Sequence, residues 1–159
     1  MKSRVIPIEL LRVKGATIRT KDPLVLTPEQ WRTFLECLTH EPARTMAIVD
    51  MCLGIRRGEL RGLKWSDFDW EKRTAFIQRS LVDNTVDSVK TPRSKALMPL
   101  DPELVTVLQR WRIASEFKRD DDWVWASPWR AGEWSLKPDA MLRDWVQPTA
   151  ERAGSPRFG

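Results

Sequence analysis

Long apolar runs are missing from the 159-residue chain, and none approaches the ~20 residues that a membrane-crossing helix requires. The first 22 residues, MKSRVIPIELLRVKGATIRTKD, are basic but hold no extended apolar core and no small-residue cleavage site of the secretory kind. Cysteine is nearly absent. Cys37 and Cys52 both fall in apolar helical patterns, so they read as reduced core residues of a cytosolic protein, a lone disulfide being a poor framework at this size. One histidine, His40, and two cysteines without ligand spacing exclude a zinc centre.

Positive charge and tryptophan are what the chain has in supply. Lys and Arg number 27 against 22 Asp and Glu, a net charge of +5. That balance favours a polyanionic partner, with nucleic acid first, although a basic surface alone does not establish one. With 42% hydrophobic residues and nine tryptophans, the chain can build the core of one domain.

Residues 1–26 hold six bases, Lys2, Arg4, Arg12, Lys14, Arg19 and Lys21, against Glu9 and Asp22, with no sustained apolar period. They read as a basic linker or leader, either solvated or touching a nucleic-acid backbone. Residues 27–159 read as the folded portion. Thr27 is a natural N-cap, Pro28 suits the first helical position, and Gln30 completes a capping box. Trp31, Phe34, Leu35 and Leu38 then follow a helical period. A second helix, ARTMAIVDMCL, is apolar nearly all round, should be buried, and is closed by Gly54. RRGELRGL predicts a short third helix ending near Lys64.

From Trp65 to Leu100 the period changes to short β-prone pieces separated by turn signals, predicting about three antiparallel strands. Asp101-Pro102-Glu103 caps a further helix with Leu104, Val107, Leu108 and Trp111 on its apolar face. DDWVWASP predicts a buried extended piece. A last helix, from about Pro138 to Arg152, would turn Leu142, Trp145 and Val146 inward and end at Gly154. The predicted class is α+β, mainly helical around a small hairpin sheet.

Two stretches carry candidate chemistry. In CLGIRRGELRGLKWSDFDW, a helical period places Arg56 on the face of Leu60 and Leu63, one turn before Glu59. Arg57 instead shares a face with Arg61 and Lys64, an ordinary solvated stripe. An inward arginine needs a partner, and Glu59 is the nearest. The pair either pins the helix or leaves part of the guanidinium fork for a phosphate. In VKTPRSKALMPL, Lys90, Thr91, Arg93, Ser94 and Lys95 crowd a turn. That turn is either a solvated hairpin tip or a mobile one whose lysine reaches a phosphate site as a general acid.

Together and in this order, the two stretches resemble the catalytic domain of the tyrosine recombinases, the phage-integrase family. GIRRGELRGLKWSDFDW is similar to that family's first box, in which Arg56 matches the catalytic arginine and WSDFDW the tail. KTPRSKALMPL is similar to its hairpin lysine motif, with Lys90 matching the catalytic lysine. LTPEQW, DPELVTVLQRWR and DDWVWASP resemble the elements on either side, so the likeness runs from about Val5 to the C-terminus.

The resemblance implies phosphotyrosine chemistry on double-stranded DNA, with no metal or nucleotide cofactor. In that chemistry Arg56 clamps a phosphate oxygen, Glu59 braces its helix, and Lys90 protonates the leaving oxygen. Arg57, Arg93 and Lys95 would add DNA contacts. A cytoplasmic location and a bacterial or phage origin go with it. The family's His-x-x-Arg box and its tyrosine have no match here, and the 159 residues contain no tyrosine. Covalent transfer of this kind needs its nucleophile. The expectation is therefore an incomplete catalytic domain that binds DNA without cleaving it, and that self-associates through apolar surface left uncovered. Two further readings are a non-catalytic regulatory or decoy DNA-binding remnant and a basic protein-interaction module.

Overall fold

The computed structural model describes residues 26–82, 85–88 and 96–155. Helix α1 (Pro28–Cys37) starts as its sequence dictates. Thr27 Oγ1 accepts from Gln30 N at 3.2 Å, and Gln30 Oε1 accepts from Thr27 N at 2.9 Å. Helix α2 (Ala43–Leu53) ends at Gly54, whose φ of 57° lies in the left-handed region that a glycine tolerates without strain. Helix α3 (Arg57–Arg61) is a single turn and a half.

Strands β1 (Phe68–Asp69), β2 (Thr74–Ile77) and β5 (Ala96–Pro99) form an antiparallel sheet in the order β1-β2-β5. Its register sets Ala75 opposite Phe68 on one side and opposite Met98 on the other. Between them, β3 (Arg79–Val82) and β4 (Thr85–Ser88) make a separate two-stranded hairpin with Leu81 opposite Val86. Helix α4 (Pro102–Ala114) is capped by Asp101, which accepts from Glu103 N at 2.8 Å. The predicted α+β class and three-stranded sheet are therefore observed, and the extra hairpin is an addition.

The core joins α1, α2, α4 and the sheet around Phe34, Val49, Leu63, Trp65, Leu108 and Trp125, all at most 1% exposed. Each fully buried side chain of this size is worth roughly 1.5–3 kcal/mol relative to exposure. The DDWVWASP stretch meets its expectation in part: Val124, Trp125 and Ala126 are buried, and Trp125 Nε1 donates to Leu60 O at 2.9 Å. Asp121 and Pro128 are exposed, however, and Val124-Trp125 is a turn between isolated bridges at Trp123 and Ala126 rather than an extended piece.

Two expectations about the core fail. Cys37 is only partly buried and Cys52 is exposed, both as free thiols. Helix α2 is apolar nearly all round, but one side of it, Asp50, Met51 and Cys52 with Met51 at 49% exposure, faces solvent rather than protein.

The last helix also turns differently. It consists of α5 (Pro138–Met141), a π-helical segment Leu142–Val146 and α6 (Gln147–Arg152). Gln147 N donates five residues back to Leu142 O. Pro148 has no N–H and its ring crowds the preceding turn, which opens to the wider spacing. The phase shift buries Met141, Thr149 and Ala150, leaves Leu142 and Val146 half-buried, and puts Trp145 at 40% exposure. Trp145 stacks on His40 with ring centroids 3.4 Å apart.

Candidate nucleic-acid interface

Arg56 sits at the N-cap of α3 in extended conformation, φ −66° and ψ 150°. It therefore precedes the helix whose period was used to turn it inward, and its side chain is 84% exposed. The predicted inward arginine is an outward one. What does hold is its bond to Glu59. The Glu59 carboxylate is only 10% exposed and accepts from Arg56 N at 2.9 Å and from Arg56 Nη1 at 3.1 Å. Glu59 thus caps the helix backbone and fixes the guanidinium together, with the rest of the fork open to solvent. A fork fixed on one edge and free on the other suits bidentate capture of an oxyanion.

The supposed solvated stripe also divides. Arg57 is 57% exposed and ion-paired with Asp139 at the start of α5. Arg61 is buried, and its Nε donates to Leu136 O at 3.2 Å. Lys64 is half-buried, with Nζ 4.8 Å from the Trp123 ring centroid. The reason is that α3 ends at Arg61, and the 122–136 segment packs where the extrapolated helix would have faced water. Val124 N donates to Leu63 O at 3.0 Å across that seam. Asp50, on α2, is also close enough to feel the Arg57 charge, yet burial dominates and pushes its carboxyl above the usual range.

Sequence reasoning missed the support beneath α3. The Asp67 side chain is 1% exposed and accepts three hydrogen bonds in one small space. Lys64 N donates at 2.7 Å, Gln78 Nε2 at 2.7 Å and Arg79 Nη1 at 2.6 Å, while Arg79 Nη1 also reaches Gly62 O at 3.1 Å. Gly58 on α3 and Gly62 at its C-cap, one turn apart, lie flat on β3. A Cβ at Gly58 would meet Ser80 Oγ at 2.3 Å, and one at Gly62 would meet Arg79 O at 2.8 Å. The signal was present in the sequence as two glycines at i and i+4 and as the first Asp of WSDFDW, but each needs a partner 11–22 residues away to be recognised.

The helix carrying Arg56 and the hairpin that leads towards Lys90 are thereby packed backbone to backbone. Lys90, Arg93 and Lys95 lie outside the described residues, between β4 and β5. Among the described residues no cluster of His, Cys, Asp or Glu could hold a metal ion, and no helix is long and apolar enough to cross a membrane.

Helices make up about half the described fold, together with the small antiparallel sheet, and solved structures share this fold. The Tn1549 transposon integrase in complex with transposon right-end DNA superposes with a TM-score of 0.70 at 20% identity, covering 84% of this chain and 47% of that one. The XerA recombinase matches with a TM-score of 0.59 at 19% identity, over 87% of this chain and 46% of that one. The fold is thus that of a tyrosine-recombinase catalytic domain.

In sequence, the chain is 28% identical over 97 residues to a XerC-like tyrosine recombinase of Caldanaerobacter subterraneus subsp. tengcongensis, covering 53% of this chain and 25% of that protein. The model of the phage integrase family matches residues 24–154. The chain belongs to the phage integrase family. It spans about a quarter of the length of this curated relative and about half of the solved structures.

Proposed function

We propose that these 159 residues bind double-stranded DNA through Arg56 and the basic residues around it, as the phosphate-gripping part of a recombinase catalytic domain. The observation that carries the reading is the exposed Arg56 guanidinium held at one edge by the buried Glu59 carboxylate. A cation so fixed loses little conformational freedom when an anion arrives. Arg57, half engaged with Asp139, and Arg93 and Lys95 supply further phosphate contacts. In the complete reaction, Arg56 stabilises the charge that develops on the phosphate, and Lys90 delivers a proton to the leaving oxygen.

The chain by itself binds DNA without cleaving it, because no tyrosine is available to attack phosphorus. The reaction of the family needs neither metal nor cofactor, and the protein works in the cytoplasm. Binding driven by phosphate contacts weakens linearly in log K against log salt. Titration of a short duplex at several salt concentrations tests this directly, and salt-independent binding or none would count against it. Incubation with supercoiled plasmid should produce no nicked circles, and nicking would refute the non-cleaving half.

A second element of the reading is self-association. An open, mostly apolar groove of about 870 Å³ runs between α1, α2, α3 and α5, with Trp31, Met46, Met51 and Met141 among its walls. Sedimentation at tens of micromolar should reveal dimers or larger species, and a monomer there would remove this element while leaving DNA binding untouched.

A further inference from the structure

Between Trp125 and Leu136 the chain makes a closed excursion from the core. Its neck is the isolated antiparallel bridge of Ala126 with Ser135, reinforced where Ser127 N donates to Trp134 O at 2.7 Å. Beyond the neck, Pro128–Arg130 form one tight 3-10 turn, followed by Ala131 and Gly132 at φ 47° and 80°. Gly132 N donates to Ser127 O at 3.0 Å, and Glu133 N to Arg130 O at 2.9 Å. The loop is hydrogen-bonded across its own width, so its tip is presented in a set geometry.

That tip is Trp129, 91% exposed, the most exposed of the large apolar side chains among the described residues. An indole in water gains nothing for folding. The charges beside it indicate the partner. The Arg130 guanidinium lies 4.6 Å from the Trp134 ring centroid, and Lys64 Nζ lies 4.8 Å from that of Trp123. A cation resting on a ring keeps its outer N–H groups for an anion. Glu133 is the one acid between Ser127 and Lys137, and its carbonyl is taken by Trp123 Nε1 at 3.0 Å. The loop's return limb is tied to α3, through Arg61 to Leu136 O and Arg57 to Asp139. A projecting aromatic followed directly by an exposed arginine matches a partner whose apolar faces are recessed between phosphates.

We infer that the 127–134 loop is a second DNA contact, in which Arg130 takes a phosphate and Trp129 packs into the adjoining groove of the duplex. The inference rests on the DNA-binding reading above and adds to it a residue and a mode of contact. The Arg56 edge supplies charge alone; this loop adds an apolar anchor whose strength salt does not screen.

The test is equilibrium binding of the 159-residue chain to one short duplex across a salt series, with Trp129→Ala, Trp129→Phe and Arg130→Ala. Trp129→Ala should weaken binding about fivefold or more with an unchanged salt slope. Trp129→Phe should recover most of that loss. Arg130→Ala should weaken binding and lower the slope by about one. Wild-type affinity and slope in both alanine variants, from a protein that does bind duplex, would overturn the loop assignment and leave the Arg56 reading standing. Absence of binding by the wild type would remove both. Loss of self-association in Trp129→Ala with DNA binding unchanged would make the loop a protein contact and would also overturn the inference.

Discussion

Asp67 and Arg79 form the most enclosed ion pair among the described residues, with Arg79 Nη1 donating to Asp67 Oδ2 at 2.6 Å and the side chains 1% and 17% exposed, respectively. Because Asp67 also accepts from Lys64 N, and Arg79 also reaches Gly62 O, the pair closes the end of α3 onto the first residue of β3. Arg56 is carried at the other end of that helix. The pair touches no candidate DNA contact, yet it fixes the element that presents one.

Removing one partner of such a pair leaves an uncompensated buried charge. Asp67→Ala should lower stability by roughly 3 kcal/mol or more in urea unfolding. A loss under about 1 kcal/mol would mean that the pair is solvated in the working protein.

Gly58 of α3 and Gly62 at its C-cap should not respond alike to a methyl group. At Gly58 the nearest obstacle is the Ser80 hydroxyl, which can rotate, whereas at Gly62 it is the backbone oxygen of Arg79. Gly62→Ala should therefore cost about 1–3 kcal/mol by overpacking, and Gly58→Ala less. Equal effects in thermal unfolding would contradict the close backbone contact of α3 with β3.

Glu59 should matter to both folding and binding. Glu59→Ala removes the acceptor for Arg56 N and frees the guanidinium, while leaving its charge in place. The expected cost is about 1 kcal/mol of stability, as for loss of other helix caps. Duplex affinity should fall with an unchanged salt slope, since the number of cations near phosphate is the same. Unaltered affinity would show that Glu59 serves folding alone.

His40, the single histidine, offers a clean reading of pH. Burial against Trp145 holds its pKa below the usual 6.5, against the opposing pull of Glu41, and its Nδ1 is buried with no hydrogen-bond partner among the described residues. The folded state therefore binds the proton less readily than the unfolded state does. Its contribution is complete above pH 6.5 and declines as pH falls through 6.5 towards the folded pKa. His40→Phe keeps a flat ring and cannot titrate, so its unfolding midpoint should vary less just below pH 6.5 than that of the wild type. Parallel pH profiles would contradict the buried neutral imidazole.

Much of this architecture was legible because it is local. Thr27 and Gln30 sit three residues apart, Asp101 caps its own helix, and Gly54 ends α2, so cap chemistry alone placed those boundaries. The errors came where a period was carried past a boundary. Arg56 looked inward only if α3 began before it, and Arg61 looked solvated only if nothing packed on that side of the helix. Trp145 looked buried only if the last helix kept an α-period through Pro148. Asp67 and Arg79 act through partners distant in sequence, and no pattern along the chain connects them. The assignment of Arg56 and Lys90 came from the family resemblance rather than from periodicity.

Duplex binding of wild type and Arg56→Ala over a salt series tests the central claim most directly. The side chain is 84% exposed, so the variant should fold with a stability loss within about 1 kcal/mol. The account predicts weaker binding and a slope in log K against log salt that is shallower by about one phosphate contact. Identical affinity and slope in the two proteins would contradict it.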